Sequence, residues 1–323
     1  MKMSKTRRRF AATLALLGLL GTVNFAHGQG NTIRLFVIVA PGGSADAMAR
    51  IVGEKLGPRL KTTVVVENKP GAGGNLATQT VARAEPDGTS LLLTANNHTI
   101  NPTLFADAGY ELKDLAPIAE LMRGPSVVVV PINSPYNSFE DLLADARKHP
   151  GTITYGSAGV GTPSHMAGEL LAQAAGINLV HAPYRGSGPS LNDVAGGQIP
   201  VVISSLVAAT PLIQAKRVRP LAVTSLKRWP GQDSIPAASE FSMPNYEHMT
   251  WLGLFAPSGT PPEKVRELSD ATMAVLQDPA IKSKVAALGG QVGDMSADAF
   301  AQFIDADYET ARKLVTSVNM QVN

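Results

Sequence analysis

Leu35-Phe36-Val37-Ile38-Val39 runs directly into Ala40-Pro41-Gly42-Gly43-Ser44-Ala45-Asp46, after which Met48, Val52, Leu56 and Leu60 recur at every fourth position. The apolar, β-rich run reads as a strand, the Pro-Gly-Gly segment as a tight turn, and the four-residue recurrence as the buried stripe of a helix. Val64-Val65-Val66 supplies the next strand and completes a βαβ unit. The same grammar continues along the chain. Apolar runs stand at Leu91 to Leu93, Val127 to Val130, Ile153 to Tyr155, Val201 to Ile203, Leu221 to Val223 and Leu252 to Phe255, with helical stretches between them. Strands alternating with helices build a parallel sheet covered on its faces, so the expected class is α/β. At the far end Phe300, Phe303, Ile304, Ala311, Leu314, Val315 and Val318 mark an amphipathic helix of about five turns.

In open α/β sheets, ligands bind where strands turn into helices. Three such turns are rich in glycine. In Pro41-Gly42-Gly43-Ser44-Ala45-Asp46, the glycines let backbone amides approach a guest, and the helix beginning near Ser44 or Ala45 aims free N–H groups at it. An anion is the natural guest, and a carboxylate the simplest. Pro70-Gly71-Ala72-Gly73-Gly74-Asn75 has the same character, although its glycines equally suit a tight turn. The third turn is Tyr155-Gly156-Ser157-Ala158-Gly159-Val160-Gly161-Thr162-Pro163, in which Thr162 reads as an N-cap and Pro163 as the first helical residue. Two amide-rich helix starts in different halves of the chain would clamp one acid between them. His165 follows the third turn, as a ligand contact or as a structural hydrogen-bonding residue.

Catalytic patterns are missing from the sequence. Ser157 lies in no G-x-S-x-G elbow, because Tyr155 holds the first glycine position. Gly71-Ala72-Gly73 meets Leu76 where a dinucleotide fingerprint needs its third glycine. His98, His149, His165, His181 and His248 form no zinc-binding spacing. Asp46, in the first turn of a helix, stabilises the helix dipole more readily than it serves as a base. No catalytic residue, metal or cofactor is therefore expected.

The chain opens with Lys2, Lys5, Arg7, Arg8 and Arg9, continues apolar and small from Ala11 to Phe25, and reaches Ala26-His27-Gly28. This is the layout of a cleavable export signal over residues 1–28, cut near Gly28, and Thr6-Arg7-Arg8-Arg9-Phe10 fits its twin-arginine variant as well as the general one. The apolar run is shorter than the roughly 20 residues that span a bilayer. Removing the segment takes away five bases and no acids. The formal net charge of +2 becomes −3, with 23 basic residues against 26 acidic, so no nucleic-acid footprint remains. There is no cysteine, which excludes disulfides, thiol chemistry and a lipid-anchored cysteine. The expected product is a freely soluble periplasmic protein of about 295 residues, enough for two lobes.

The blocks Pro41-Gly42-Gly43-x-x-Asp46-x-x-Ala49-Arg50, Val64-Val65-Val66-Glu67-Asn68-Lys69-Pro70-Gly71-Ala72-Gly73-Gly74, Pro86-Asp87-Gly88-Thr89, Tyr155-Gly156-Ser157-x-Gly159-x-Gly161, His181-x-Pro183-Tyr184-Arg185-Gly186 and Trp251-x-Gly253-Leu254-Phe255-Ala256-Pro257 occur in one order along nearly the whole chain. In these the sequence resembles the solute receptors of tripartite tricarboxylate transporters, the TctC or Bug family. The resemblance implies a type II periplasmic-binding-protein fold, two α/β lobes with a ligand cleft between them, lobe 1 being residues 31–122 plus 250–323 and lobe 2 residues 123–249. It implies capture of a small di- or tricarboxylate or aromatic acid and delivery to separate membrane transporter subunits, by a receptor expected to be monomeric. Presentation of the bound acid to a membrane receptor kinase is the alternative role.

Carried over motif by motif, the expected ligand contacts are Pro41, Gly42, Gly43, Ser44 and Asp46 in the first turn. Ser157, Ala158, Gly159, Gly161 and Thr162 follow in the third, with His165, Tyr184, Ser204 and Ser205 beside them. Two positions depart from the family pattern. Val39 stands where an aromatic residue is frequent, and Ser204 where many members carry an acid able to pair with an ammonium. The second departure points to an acid without an amino group.

Overall fold

The computed structural model describes residues 32–317. The export-signal reading of residues 1–28 and the expected helical position Val318 lie outside the described residues. Ten strands carry the fold: β1 (Thr32–Val37), β2 (Thr63–Asn68), β3 (Ser90–Ala95), β4 (Leu115–Pro131), β5 (Thr154–Ser157), β6 (Val180–Pro183), β7 (Val201–Ser205), β8 (Val218–Val223), β9 (Met249–Pro257) and β10 (Gln291–Val292). Among the described residues, ten α-helices are packed around them: α1 (Ser44–Leu60), α2 (Asn75–Ala82), α3 (Asn97–Leu104), α4 (Phe139–Lys148), α5 (Pro163–Ala175), α6 (Ser187–Ala195), α7 (Leu206–Gln214), α8 (Pro262–Leu276), α9 (Pro279–Ala287) and α10 (Ala297–Ser317).

Strand β4 organises both lobes. Its first half, Leu115 to Pro125, pairs antiparallel with β9, and β10 pairs at Met122 and Arg123. From β9 the first sheet continues through β3 to the parallel strands β1 and β2. Its second half, from Ser126, lies between β7 and β8, and β5 and β6 extend that sheet in parallel beyond β7. The chain passes between sheets at Gly124-Pro125-Ser126. It returns through Thr224 and His248, where the Thr224 hydroxyl accepts from the Ser126 amide at 2.8 Å and donates to the His248 carbonyl at 2.6 Å. Two crossing strands tied side by side make a connection suited to hinge bending.

The predicted strands are all present, but the Val127–Val130 run is only the last part of a 17-residue strand. Leu115 to Ser126 escaped notice because Pro117, Glu120, Arg123 and Gly124 interrupt its apolar pattern. β6 and β10, four and two residues long, carry no run that periodicity detects. The Met48, Val52 and Leu56 stripe of α1 is fully buried against the first sheet, together with Leu35, Leu93, Phe255 and Phe300. The C-terminal stripe forms α10, whose Phe300 ring meets Trp251 edge-on at 5.6 Å. The second lobe packs Phe139, Tyr155 and Ile203 on one face of its sheet and Leu191, Val202 and Leu206 on the other.

Candidate functional site

Five strand-to-helix turns meet between the lobes: β1 into α1, β3 into α3, β5 into α5, β6 into α6 and β7 into α7. Each contributes lining to one narrow cavity. Gly43, Ser44 and Ala45 come from the first, Asn97 from the second, Ala158, Thr162, Pro163 and Ser164 from the third, Ser187 from the fourth and Ser205 from the fifth. Ile38, Val39, Ala95, Leu252 and Thr250 complete the wall. The cavity is narrow: the centre of a water-sized sphere has about 40 Å³ to move in.

Backbone amides supply the chemistry. No side chain caps the amides at the start of α1, α5, α6 or α7. Thr162 is the N-cap of α5 and Pro163 its first residue, as the spacing predicts, yet the Thr162 hydroxyl donates backwards to the Gly159 carbonyl at 2.6 Å. The helix amides are thereby left for a guest. Helix starts carry partial positive charge, each worth about 0.3–1 kcal/mol to a nearby anion and up to about 2 when partly buried. Among the described residues, no charged side chain lines the cavity. An anion is favoured there by dipoles that cannot be neutralised by deprotonation and need no side chain to reorganise.

Asp46 shapes the first turn from behind and does not line the cavity. Its carboxylate accepts from the Gly42 amide (3.1 Å), Asn68 Nδ2 (3.1 Å) and Arg50 Nε (3.1 Å). Burial raises its pKa, but the Arg50, Gly42 and Asn68 hydrogen bonds outweigh that and hold it below the usual carboxylate value. Pro41 and Gly42 are exposed at the rim, where Gly42 takes a left-handed φ of 90° that favours glycine.

Behind the third turn lies a buried polar cluster. Ser157 Oγ accepts from the Gly159 amide (3.0 Å) and sits 2.6 Å from His181 Nε2. His165 Nδ1 accepts from the Gly161 amide at 3.3 Å, and its ring stacks on that of His181 at 3.9 Å. Burial, reinforced by the neighbouring His181, pushes the His165 pKa down to about 3, and burial pushes His181 down to about 4. Both rings are neutral at pH 7. These residues fix the loop from below, and Ser157, fully buried, does not line the cavity.

Of the residues read from sequence, Gly43, Ser44, Ala158, Thr162 and Ser205 line the cavity. Pro41, Gly42, Asp46, Ser157, Gly159, Gly161 and His165 belong to the turns that shape it. Tyr184 and Ser204 are not among its lining residues. The Tyr184 hydroxyl donates to Asp193 at 2.8 Å. Ser204 is fully buried within the β4–β7 pairing, opposite Val127, and alternation along β7 makes Ser205 the residue that reaches the cleft. Asn97 was missed because its turn holds no glycine, Ser187 because the four-residue strand before Gly186-Ser187-Gly188 carries no apolar run, and Thr250 because it sits inside a crossing strand. The second glycine turn supports the site indirectly: the Gly73 carbonyl accepts from Asn97 Nδ2 at 2.6 Å.

The lobes meet at these turns. The Ala40 amide donates to the Arg185 carbonyl at 3.1 Å across the cleft. A wider crevice of about 980 Å³ lies along the lobe boundary, shares Thr250 with the cavity and is lined by Glu120, Glu247, Asp307 and Arg123 among others. Arg123 is already paired with Glu120 at 2.9 Å, so this acidic crevice disfavours an anion. Among the described residues, no helix is long and apolar enough to cross a membrane.

Known proteins share this architecture. The chain matches the family model described as the tripartite tricarboxylate transporter family receptor over residues 48–320. The periplasmic binding protein BugD is 33% identical, with a TM-score of 0.86 over 90% of this chain and 98% of BugD. Rpa4515 of R. palustris, solved with adipate, is 30% identical, with a TM-score of 0.86 over 90% of this chain and 98% of its own. MatC of Rhodopseudomonas palustris, solved with bound malate, is 26% identical, with a TM-score of 0.84 over 88% and 98%. A type II fold whose closed cleft gathers helix starts, together with a family match across most of the chain, places this protein in the tripartite tricarboxylate transporter receptor family, the periplasmic solute-binding proteins of the TctC/Bug type.

Proposed function

We propose that this receptor captures a small organic acid lacking an amino group and hands it to the membrane subunits of a tripartite tricarboxylate transporter. Residues 31–122 with 250–323 act as one lobe and residues 123–249 as the other. Export on the residue 1–28 leader belongs to the same proposal. The observation that carries it is the narrow cavity fed by uncapped helix starts from both lobes and, among the described residues, lined by no charged side chain. Adipate and malate in the two related structures support the carboxylate class. Closure is then selected by the ligand: the carboxylate gains amides from the second lobe only when the lobes meet.

Ser204, the sequence-based reason for excluding an amino group, gives way to a stronger one. No aspartate or glutamate lines the cavity, so an ammonium has no charge partner there. Titration calorimetry against a panel of two- to six-carbon mono-, di- and tricarboxylates tests the capture step, with saturable one-to-one binding of at least one acid expected. Absence of binding across the panel refutes it. For delivery, deleting the gene is expected to abolish uptake of the bound acid by cells that keep the membrane subunits, and unchanged uptake refutes that part.

A further inference from the structure

The wide crevice at the lobe boundary carries the opposite chemistry to the cavity. Among the described residues, Arg123 is the only lysine or arginine that lines it, and its Nε and Nη2 are both spent on the Glu120 carboxylate at 2.9 Å. Asp307 and Glu247 line it with no cation of their own. Asp307 is held in one orientation: its Oδ2 accepts from Thr99 Oγ1 at 2.6 Å and from Trp251 Nε1 at 3.0 Å. Its Oδ1 accepts from no group among the described residues, yet it is not one of the orphan atoms sealed from solvent, so it is open to an incoming donor. Burial raises the Asp307 pKa, and the two neutral donors offset that only in part. A positive charge beside Oδ1 would supply what they lack.

His248 lines the same crevice and is 7% exposed. Its Nδ1 is sealed in, whereas Nε2, which also has no partner among the described residues, is not. Burial lowers the His248 pKa to about 4, so at pH 7 the ring is neutral and presents Nε2 without repelling a cation. Trp229, Trp251 and Phe303 stand beside these acceptors, and aromatic faces attract cations and cover apolar groups. A volume of about 980 Å³ is that of a small-molecule site. Acceptors call for N–H or O–H donors, and the uncompensated carboxylates favour a donor that carries positive charge. We infer that the crevice is a second binding site, for a primary organic ammonium ion with an apolar or aromatic body, held by Asp307 Oδ1 and His248 Nε2. The site stands apart from the capture of the acid, because no carboxylate lines the cavity to hold an ammonium there.

Both tryptophans of the chain, Trp229 and Trp251, line the crevice, so intrinsic fluorescence reads its occupancy directly. The probe is benzylammonium, titrated at neutral pH into the purified protein, with benzyl alcohol as its uncharged isostere and sodium chloride as the salt control. Benzylammonium is expected to bind saturably and one-to-one, by fluorescence and by calorimetry, at least tenfold more tightly than benzyl alcohol. Asp307→Asn keeps an oxygen to accept from Thr99 and Trp251 and removes the charge. It is expected to weaken benzylammonium at least tenfold and leave benzyl alcohol unchanged, while the melting temperature of the protein holds or rises. His248→Phe keeps a ring of similar size without the acceptor and is expected to weaken benzylammonium threefold or more. Benzyl alcohol binding as tightly as benzylammonium overturns the selection for charge. A fluorescence change reproduced by sodium chloride, or no saturable binding, overturns the site itself. Wild-type affinity in Asp307→Asn overturns its placement in this crevice, and wild-type affinity in His248→Phe removes His248 from it.

Discussion

Gly188, near the start of α6 in the second lobe, lies so close to the Pro41 carbonyl of the first that a Cβ built on it would fall 2.6 Å from that oxygen. The obstacle is backbone, so no side chain can move aside. Gly188 has no left-handed φ, and alanine suits a helix better than glycine, so the cost falls on lobe closure and spares the fold. Gly188→Ala is expected to weaken acid binding at least tenfold while the melting temperature of the ligand-free protein holds or rises. Calorimetry alongside thermal denaturation checks this, and wild-type affinity would show that closure does not bring the two turns together.

Asp46 gathers the Gly42 amide, Asn68 and Arg50 around one carboxylate. Asp46→Ala leaves those donors unmatched and frees the glycine turn. A loss of roughly 1–3 kcal/mol in stability is expected from chemical denaturation, along with affinity reduced by about tenfold through loss of preorganisation. Unchanged affinity in a folded variant would mean that the turn is held by α1 alone.

Acid should unfold this protein through its histidines before its carboxylates. Burial lowers the folded-state pKa of His98 and His165 to about 3 and of His181 and His248 to about 4, against about 6.5 for the unfolded chain. Between those limits the unfolded state binds more protons than the folded one. The stability contributed is complete above about pH 6.5 and declines as the pH falls towards 4. In the folded protein His165 stays neutral down to about pH 3 and keeps accepting from the Gly161 amide, so affinity of the folded fraction should hold across the same window. Denaturation and binding measured from pH 8 to 4.5 test this. His181→Gln is expected to flatten the stability profile, and a profile flat from pH 7 to 5 in the wild type would refute the buried neutral pair.

Adjacent serines on β7 should respond in opposite ways to the same change. Ser205→Asp places a charge in the cavity wall and is expected to abolish binding of acids, the protein remaining folded. Ser204→Asp puts an unpaired carboxylate inside the packed second lobe and is expected to cost roughly 3 kcal/mol or more of stability, with little change in selectivity between amino and non-amino acids in whatever folds. A change of selectivity in Ser204→Asp would return that residue to the ligand.

The α/β class, most strands and the two principal anion turns follow from local pattern. A run such as Leu35–Val39, a Pro-Gly-Gly turn and a Met48–Val52–Leu56 stripe dictate their conformation from neighbours a few positions away, through steric and burial preferences the residues carry with them. Thr162-Pro163 marks a helix start for the same reason. What no local pattern contains is which turns meet. Asn97, Ser187 and Thr250 reach the cavity because β4 runs through both lobes and β9 returns beside it, an arrangement fixed by long-range pairing such as Gly124 with Thr250. The choice of Ser205 over Ser204 depends on which face of β7 packs against the core, since one residue of register exchanges inside for outside. Tertiary structure alone decided that Asp46, Ser157 and His165 stand behind the turns and not in the cavity wall: each accepts from a backbone amide of its turn, Gly42, Gly159 and Gly161 respectively, and Asp46 and Ser157 are tied further to side chains brought in from other elements, Asn68 and His181.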